Sequence, residues 1–327
     1  MNNKRSMILD KLLIFLSIAI SILTLGRFLF WIFPLELLTH FQVHYFWLTI
    51  ALILLFTILW QRQEVKSHIA LFILLFSLTV NGLDLVTWYL PTDRSSTDKT
   101  NILKVMSFNI NVENNDIDRI VRSIKFIDPD LALIVEIDAA MMKMIGAMTS
   151  DRLPYSFRST GGGLAIFSKS PLDDSSSEKF LGSNETNLVT HLKYRDKRIQ
   201  IVGTHPFVPV KSPTFNRRNL QLDALANYLE RDSQPTILMG DFNLTPWSPY
   251  YRKFISKTTL HNTRHGFGIL PSWIRSSTCV KLPQFLLPFL NIPIDHIFVS
   301  KDFKVVNTYT GDNGNSDHAP IISELIM

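Results

Sequence analysis

The chain has 327 residues, which exceeds one average domain and suffices for a sizeable core. Its hydrophobic content of 46% is high for a wholly soluble protein, and the lone Cys279 excludes a disulfide framework. The net charge of +5 admits an anionic substrate or a membrane surface without identifying nucleic acid.

The apolar excess is concentrated in residues 8–90. Three segments there, about Leu12–Phe33, His44–Trp60 and Ile69–Leu90, are long enough to cross a bilayer, which takes about 20 apolar residues. A cleaved signal peptide is excluded for the first, because no small-residue cleavage site follows it and two further apolar runs do. Trp31, Trp47, Trp60 and Trp88 fall near the expected span ends, as an aromatic belt does. Arg27 and Asp84 lie inside the first and third spans, close to the same membrane face, where they can pair or Arg27 can snorkel to the interface. Lys4, Arg5 and Lys11 precede the first span, and Arg62 and Lys66 occupy the second loop. The first loop, Pro34–His40, has no Lys or Arg. The positive-inside rule then puts the N-terminus and the second loop in the cytoplasm and everything after Leu90 outside. In a bacterium that is the periplasmic or outer face of the cell membrane.

Residues 91–100 are polar and turn-rich and are expected to link the membrane domain (1–90) to a catalytic domain (101–327). In that domain Leu103–Ile110 has the pattern of a strand and Ile117–Phe126 that of an amphipathic helix. Leu131–Val135 and Leu164–Phe167 are apolar strands. Val189–Tyr194 and Ile199–Thr204 flank a hairpin turn. A helix is expected over Asn216–Arg231, and strands over Thr236–Met239, Ile294–Val299 and Ala319–Leu325. This order suggests a layered α/β sandwich.

Polar signatures end these apolar runs: Ser107-Phe108-Asn109-Ile110-Asn111, Val135-Glu136, Gly203-Thr204-His205, Gly240-Asp241-Phe242-Asn243, Ile294-Asp295-His296 and Ser316-Asp317-His318-Ala319-Pro320. A Gly162-Gly163-Leu164-Ala165 turn accompanies them. Acids, amides and histidines gathered at strand tips are what a divalent-metal phosphoesterase requires, because a cation offsets the charge that repels a nucleophile from a phosphoester. Mg²⁺ takes a few carboxylate or amide oxygens. Glu136, a charge directly after a core-type run, is the best ligand candidate, since a lone buried glutamate is costly. Asp241 and Asn243, two apart at a strand end, are expected to share a face. Asp241 can activate water and Asn243 can donate to a phosphate oxygen. His318 can act as general base with Asp295 fixing its tautomer, and Asp317 then points elsewhere, toward metal or water. His205 can donate to a phosphate oxygen. His296 is expected to be structural.

Together these residues resemble the endonuclease/exonuclease/phosphatase superfamily over about 101–327, with Gly-Asp-Phe-Asn and Ser-Asp-His-Ala-Pro the most specific parts. The resemblance implies a four-layer α/β sandwich of the DNase I type, here preceded by three transmembrane helices, and Mg²⁺-dependent phosphoester hydrolysis, with Mn²⁺ as an alternative ion. It puts Asn109 and Glu136 at the metal end with Asp317 at the metal or water. His205, Asp241, Asn243, Asp295 and His318 take the catalytic roles, with Asn111 also in the first motif. The leading spans, Thr245-Pro246-Trp247-Ser248-Pro249 and Pro271-Ser272-Trp273 look like the bacterial membrane-anchored branch.

The substrate is expected to be nucleic acid, a lipid headgroup or a small phosphoester. Arg217, with Arg152, Arg158, Lys211, Arg218, Arg264, Arg275 and Lys281, can neutralise phosphates, although these residues are scattered in sequence. The run Leu282–Ile292 is too short to span; it can dip into a lipid interface, and a packed loop is the favoured expectation. The bilayer is the expected non-substrate partner, and no obligate protein partner is inferred. The competing functions are a catalytically inactive membrane-bound scaffold, which predicts loss of a metal or base residue, and a transporter, for which three spans form a poor pathway.

Overall fold

A computed structural model describes residues 3–91, 102–182, 186–231 and 234–327. The expected linker, 91–100, lies almost wholly outside the described residues. The chain divides into two compact units, Met1–Leu90 with Trp247–Pro249, and Pro91–Pro246 with Tyr250–Met327.

In the N-terminal unit, α1 (Asn3–Leu29) is followed by the short α2 (Leu35–Leu38) and a 3-10 turn, Thr39–Phe41. These lead into α3 (Gln42–Gln61), and α4 (Ile69–Val86) completes the unit. Three stretches are long and apolar enough to cross a membrane: Arg5–Leu29, Leu35–Gln61 and Ile69–Val86. The first starts earlier than its apolar run, because Lys4, Arg5, Met7, Leu9 and Lys11 are good helix formers and no proline interrupts the chain before Phe30. Side chains such as Phe15 and Phe72 face outward from the bundle, as lipid-facing residues do. The polar side chains turn inward. The buried Arg27 guanidinium donates to Asp84 Oδ2 (2.6 Å), to Gln42 Oε1 (2.8 Å) and to the Thr24 carbonyl (3.1 Å). The pairing of Arg27 with Asp84 expected from sequence is thus present.

The second unit is built on two six-stranded sheets. The first runs in the order β11-β12-β1-β2-β4-β3 and the second β5-β6-β7-β8-β10-β9. The first contains β1 (Leu103–Asn109), β2 (Leu131–Val135), β3 (Tyr155–Arg158), β4 (Leu164–Ser168), β11 (Lys304–Thr310) and β12 (Ile321–Ile326). The second contains β5 (Asp173–Glu178), β6 (Asn187–Tyr194), β7 (Lys197–Thr204), β8 (Thr236–Asp241), β9 (His261–Asn262) and β10 (Asp295–Val299). Alternation assigns the faces. Leu131, Leu133 and Val135 meet Ile201, Ile237, Met239 and Ile297 in the core between the sheets. Ala132 and Ile134 point the other way, onto α5 (Ile117–Ile127) and α6 (Ala139–Thr149), through Ile120, Ile124 and Ile145. On the outer face of the second sheet, Tyr251 and Phe254 of α8 (Pro249–Thr258) pack on Phe298. The remaining helix, α7 (Ser212–Glu230), connects β7 to β8. The result is the expected four-layer sandwich. With about 1.5–3 kcal/mol for each fully buried aliphatic side chain, this core holds the sheet edges firmly enough to carry polar groups in unfavourable surroundings.

Some expected elements shift. Helix α7 begins at Ser212, four residues earlier than the apolar pattern suggests, because Pro213 sits where a helix tolerates proline, in its first turn. Helix α6 has no clear apolar period; its start is set by Asp138, whose side chain accepts from the Met141 amide at 2.7 Å. The packed loop expected over Leu282–Ile292 is a 3-10 segment, Gln284–Phe289, in which Leu287 is buried but Phe285 and Phe289 are exposed.

Candidate active site

Strand pairing brings the polar signatures together. Strands β1 and β2 are parallel with Asn109 opposite Val135, so Asn109 lies beside Glu136. Strands β7 and β8 are parallel with Thr204 opposite Gly240, which sets His205 beside Asp241. In the antiparallel β8–β10 pair Asp241 faces Asp295. The antiparallel β1–β12 pair, with Ser107 opposite Ile321, sets Asp317 and His318 beside the end of β1.

The side chains converge. Asn109 Nδ2 donates to Glu136 Oε1 at 2.9 Å and to Asp241 Oδ2 at 3.1 Å, tying the first sheet to the second. His205 Nε2 is 3.8 Å from both Glu136 Oε1 and Asp241 Oδ2. His318 Nδ1 lies 2.9 Å from Asp295 Oδ2, and its Nε2 faces Asp241 Oδ2 at 3.8 Å. Among the described residues, two groups of potential ligand atoms each lie within 4.8 Å of one another: Glu136, His205 and Asp241; and Asp241, Asp295 and His318.

Local backbone conformations aim these groups. Asn111 (φ 60°), Glu136 (φ 61°) and Asn243 (φ 49°) all adopt left-handed conformations, each at a strain of about 1–3 kcal/mol. For Asp241 and Asn243 this replaces the shared strand face expected from their spacing. The chain leaves the strand after Asp241, and the Asn243 amide turns back to donate to Asp241 Oδ1 at 2.8 Å. Asn243 Nδ2 then donates to the Pro206 carbonyl, next to His205. Gly240 is required here, since a Cβ on it would lie 1.9 Å from the Thr204 carbonyl oxygen.

Burial and charge set the ionisation. Burial, and then the neighbouring Asp295 carboxylate, hold the Asp241 carboxyl above the usual range. For His318, burial opposes the charged ring, but Asp295 and its hydrogen bond, with Asp241 behind them, raise the pKa overall. Burial also pushes Asp295 up, and the attraction of His318 more than reverses it, so its pKa is lowered. Burial lowers His205, which is therefore a neutral ring.

Two sequence candidates lie at the margin of this cluster. Asp317 accepts from Asn111 Nδ2 (2.8 Å) and from the Trp273 indole (3.0 Å), and it belongs to neither group of potential ligands. Arg217 is an exposed residue of α7, its guanidinium 4.7 Å from the centre of the Phe207 ring. Its neighbour Arg218 is fully buried and donates to the Asn243 carbonyl at 3.1 Å. Arg218 shares a helix face with Phe215, Leu222 and Leu225, and a charge on an apolar stripe was the signal for it. Sequence reasoning also missed the roles of two serines. Ser316 Oγ donates to the Asn109 carbonyl and accepts from the His318 amide, and Ser272 Oγ accepts from the Asp295 amide. His296 is structural, as expected: its Nε2 donates to the Leu244 carbonyl, and its Nδ1 accepts from Asn262 and Arg264.

The chain matches the profile of the Endonuclease/Exonuclease/phosphatase family over residues 106–318. No curated protein matches it. Among solved structures it is similar to an endonuclease/exonuclease/phosphatase from Beutenbergia cavernae DSM 12333, with 18% identity, a TM-score of 0.57 and coverage of 69% of this chain and 72% of that one. Sphingomyelinase C from Streptomyces griseocarneus is 17% identical, with a TM-score of 0.51 and coverage of 69% and 99%. D. rerio TDP2 complexed with a single-strand DNA product is 15% identical, with a TM-score of 0.56 and coverage of 69% and 99%. At these identities the structural likeness is one of fold.

Proposed function

The chain belongs to the Endonuclease/Exonuclease/phosphatase family, and we propose that it is a membrane-anchored phosphoester hydrolase that uses Mg²⁺ or Mn²⁺. The observation that carries this reading is the meeting of the buried Asn109, Asp241 and His318 with the partly buried Glu136 and His205 at the sheet ends. The donor set fits a hard cation through the carboxylate oxygens Glu136 Oε1 and Asp241 Oδ2, which converge on the Asn109 side-chain amide, whose oxygen could turn toward a bound ion.

Glu136 and Asn109 would hold the ion, with the charge of Asp317 nearby. A bound cation would offset the phosphate charge and stabilise the leaving oxygen. Asp295 fixes His318 with Nδ1–H toward its own Oδ2, which leaves Nε2 facing Asp241. Their separation of 3.8 Å exceeds a direct hydrogen bond and is a spacing that one water can bridge. Asp241 orients that water, and His318 Nε2 would take its proton from the neutral form of the ring, which a cation bound among these carboxylates would favour by offsetting their charge. His205, a neutral donor, and the second amide N–H of Asn243 reach for the phosphate oxygens as charge develops on them. Asn111 and Arg217 contribute at the substrate rim. An inactive scaffold is disfavoured because each of these roles has a residue to fill it.

The three apolar helices support anchoring. The basic residues Lys4, Arg5 and Lys11 in the first turns of α1, and Arg62 and Lys66 between α3 and α4, favour a catalytic unit on the side of the membrane away from the cytoplasm, the periplasmic or outer face in a bacterial cell. A reporter fused after Met327 that is active only in the cytoplasm would overturn this placement. The substrate is a phosphoester of nucleic acid, lipid headgroup or small-molecule type. Full-length protein assayed with Mg²⁺ on DNA, RNA, phospholipid vesicles and sugar phosphates tests the reading. Hydrolysis of at least one class is expected, and inertness toward all of them together with a generic aryl phosphodiester would refute it.

A further inference from the structure

The segment between Trp273 and Ile292 leaves the sandwich and returns to the point it left, where Trp273 pairs with Ile292 on one side and with His318 on the other. The excursion is thus rooted at the catalytic histidine. Its tip is the 3-10 turn Gln284–Phe289, pinned from below by the buried Leu287. Above it, Leu282, Phe285, Leu286 and Phe289 point outward, with Phe285 71% and Phe289 69% exposed. Four large apolar side chains on one short turn, with no polar residue but Gln284 among them, form a contiguous exposed apolar feature of the kind that marks an interaction site. From Asn262 to Ile294 the sequence has no acidic residue, while the exposed Lys281 immediately precedes the tip. Apolar side chains beside basic ones and without acids complement an anionic lipid surface, where rings enter the headgroup boundary and cations meet phosphates. A second loop leaving the site, just after His205, exposes Val208 and Val210.

We propose that the Leu282–Phe289 turn is an interfacial element that lies in the headgroup region of a bilayer, with Phe285 and Phe289 as its wedges. The proposal rests on the membrane-anchored reading, since α1, α3 and α4 keep a lipid surface within reach of the tethered catalytic unit. The turn is not itself an anchor: a few side chains bind reversibly, and tethering makes that binding effective.

The test uses full-length protein carrying Cys279→Ser, with single cysteines introduced by Phe285→Cys, Phe289→Cys, Phe72→Cys or Asp196→Cys. Each is labelled with an environment-sensitive nitrobenzoxadiazole dye and reconstituted into phosphatidylcholine–phosphatidylglycerol vesicles. The Phe285 and Phe289 labels are expected to shift to the blue, to be quenched by lipid bearing a shallow doxyl group, and to be several-fold less accessible to iodide than the label at Asp196, which tips the β6–β7 hairpin. Iodide access equal to that at Asp196 overturns the proposal. So does shielding from iodide without doxyl quenching, which would mean that a second copy of the chain or another protein covers the turn. The label at Phe72, on the outer face of α4, tests anchoring separately. If it escapes quenching while the Phe285 label is quenched, the anchoring reading fails and the interfacial turn stands.

Discussion

Asp241 and Asp295 face each other across the β8–β10 pair, and His318 sits against both, 2.9 Å from Asp295 Oδ2 and 3.8 Å from Asp241 Oδ2. Like charges directly opposed on neighbouring strands are destabilising. Burial of both intensifies the conflict, and the two carboxylates together raise the proton affinity of the His318 ring set between them. The arrangement makes sense as a device that holds one ring in a fixed tautomer beside a carboxylate whose proton affinity is raised.

Asp295→Asn keeps the shape of the side chain but removes the acceptor that holds Nδ1–H. Its amide can donate to Nδ1 and turn Nε2 into the protonated nitrogen, which cannot accept a proton from water. We expect kcat to fall by about 10²–10⁴, the usual contribution of a general base, with circular dichroism unchanged. Turnover within threefold of the parent would remove His318 from the base role.

Gly240 lies one residue before Asp241, with φ 153°, and a Cβ there would meet the Thr204 carbonyl oxygen at 1.9 Å. Gly240→Ala must therefore push β7 and β8 apart at the end that carries His205 and Asp241. Destabilisation of about 3 kcal/mol or more is expected, in the range reserved for backbone strain and overpacking, measured by denaturant unfolding. A loss below 0.5 kcal/mol would show that the strand ends are more yielding than the geometry implies.

His296 titrates in the opposite sense to His318. Burial, and then the Arg264 guanidinium, depress its pKa to about 3. Its Nδ1 accepts from two donors, so a proton there would face the Asn262 amide and Arg264. The unfolded chain binds this proton near pH 6.5 and the folded chain does not until about pH 3. The stabilisation is therefore complete above about pH 6.5 and is lost as pH falls toward 3, at no more than about 1.4 kcal/mol per pH unit. His296→Gln should be less stable at neutral pH and show a shallower acid slope between pH 6 and 4. Parallel slopes for the two proteins would contradict this.

The sandwich and the signatures are legible in the sequence for one physical reason: apolar runs of strand length end in groups that burial penalises, so Glu136 after Leu131–Val135 by itself announces a site. The sequence did not reveal how those groups are aimed. The left-handed turn at Asn243 has no signature beyond the asparagine itself, and spacing alone suggested a shared strand face. The support of Asn243 by Arg218 depends on α7 crossing behind the site. The motif placed Asp317 at the metal or water but gave no sign of its two hydrogen bonds, which come from Asn111 and Trp273, remote in sequence. Exposure of Phe285 and Phe289 was equally hidden, because an apolar run has the same composition whether it packs inward or faces out.

Chelation followed by metal titration bears most directly on the account. Full-length protein stripped with EDTA is titrated with Mg²⁺ while hydrolysis of an aryl phosphodiester is followed, beside Glu136→Gln. The account predicts no turnover in the stripped protein, saturable recovery in the parent, and a midpoint shifted at least about tenfold upward or no recovery in Glu136→Gln, since a ligand carboxylate contributes charge that an amide lacks. Turnover that survives EDTA, or a titration that Glu136→Gln leaves unmoved, would contradict it.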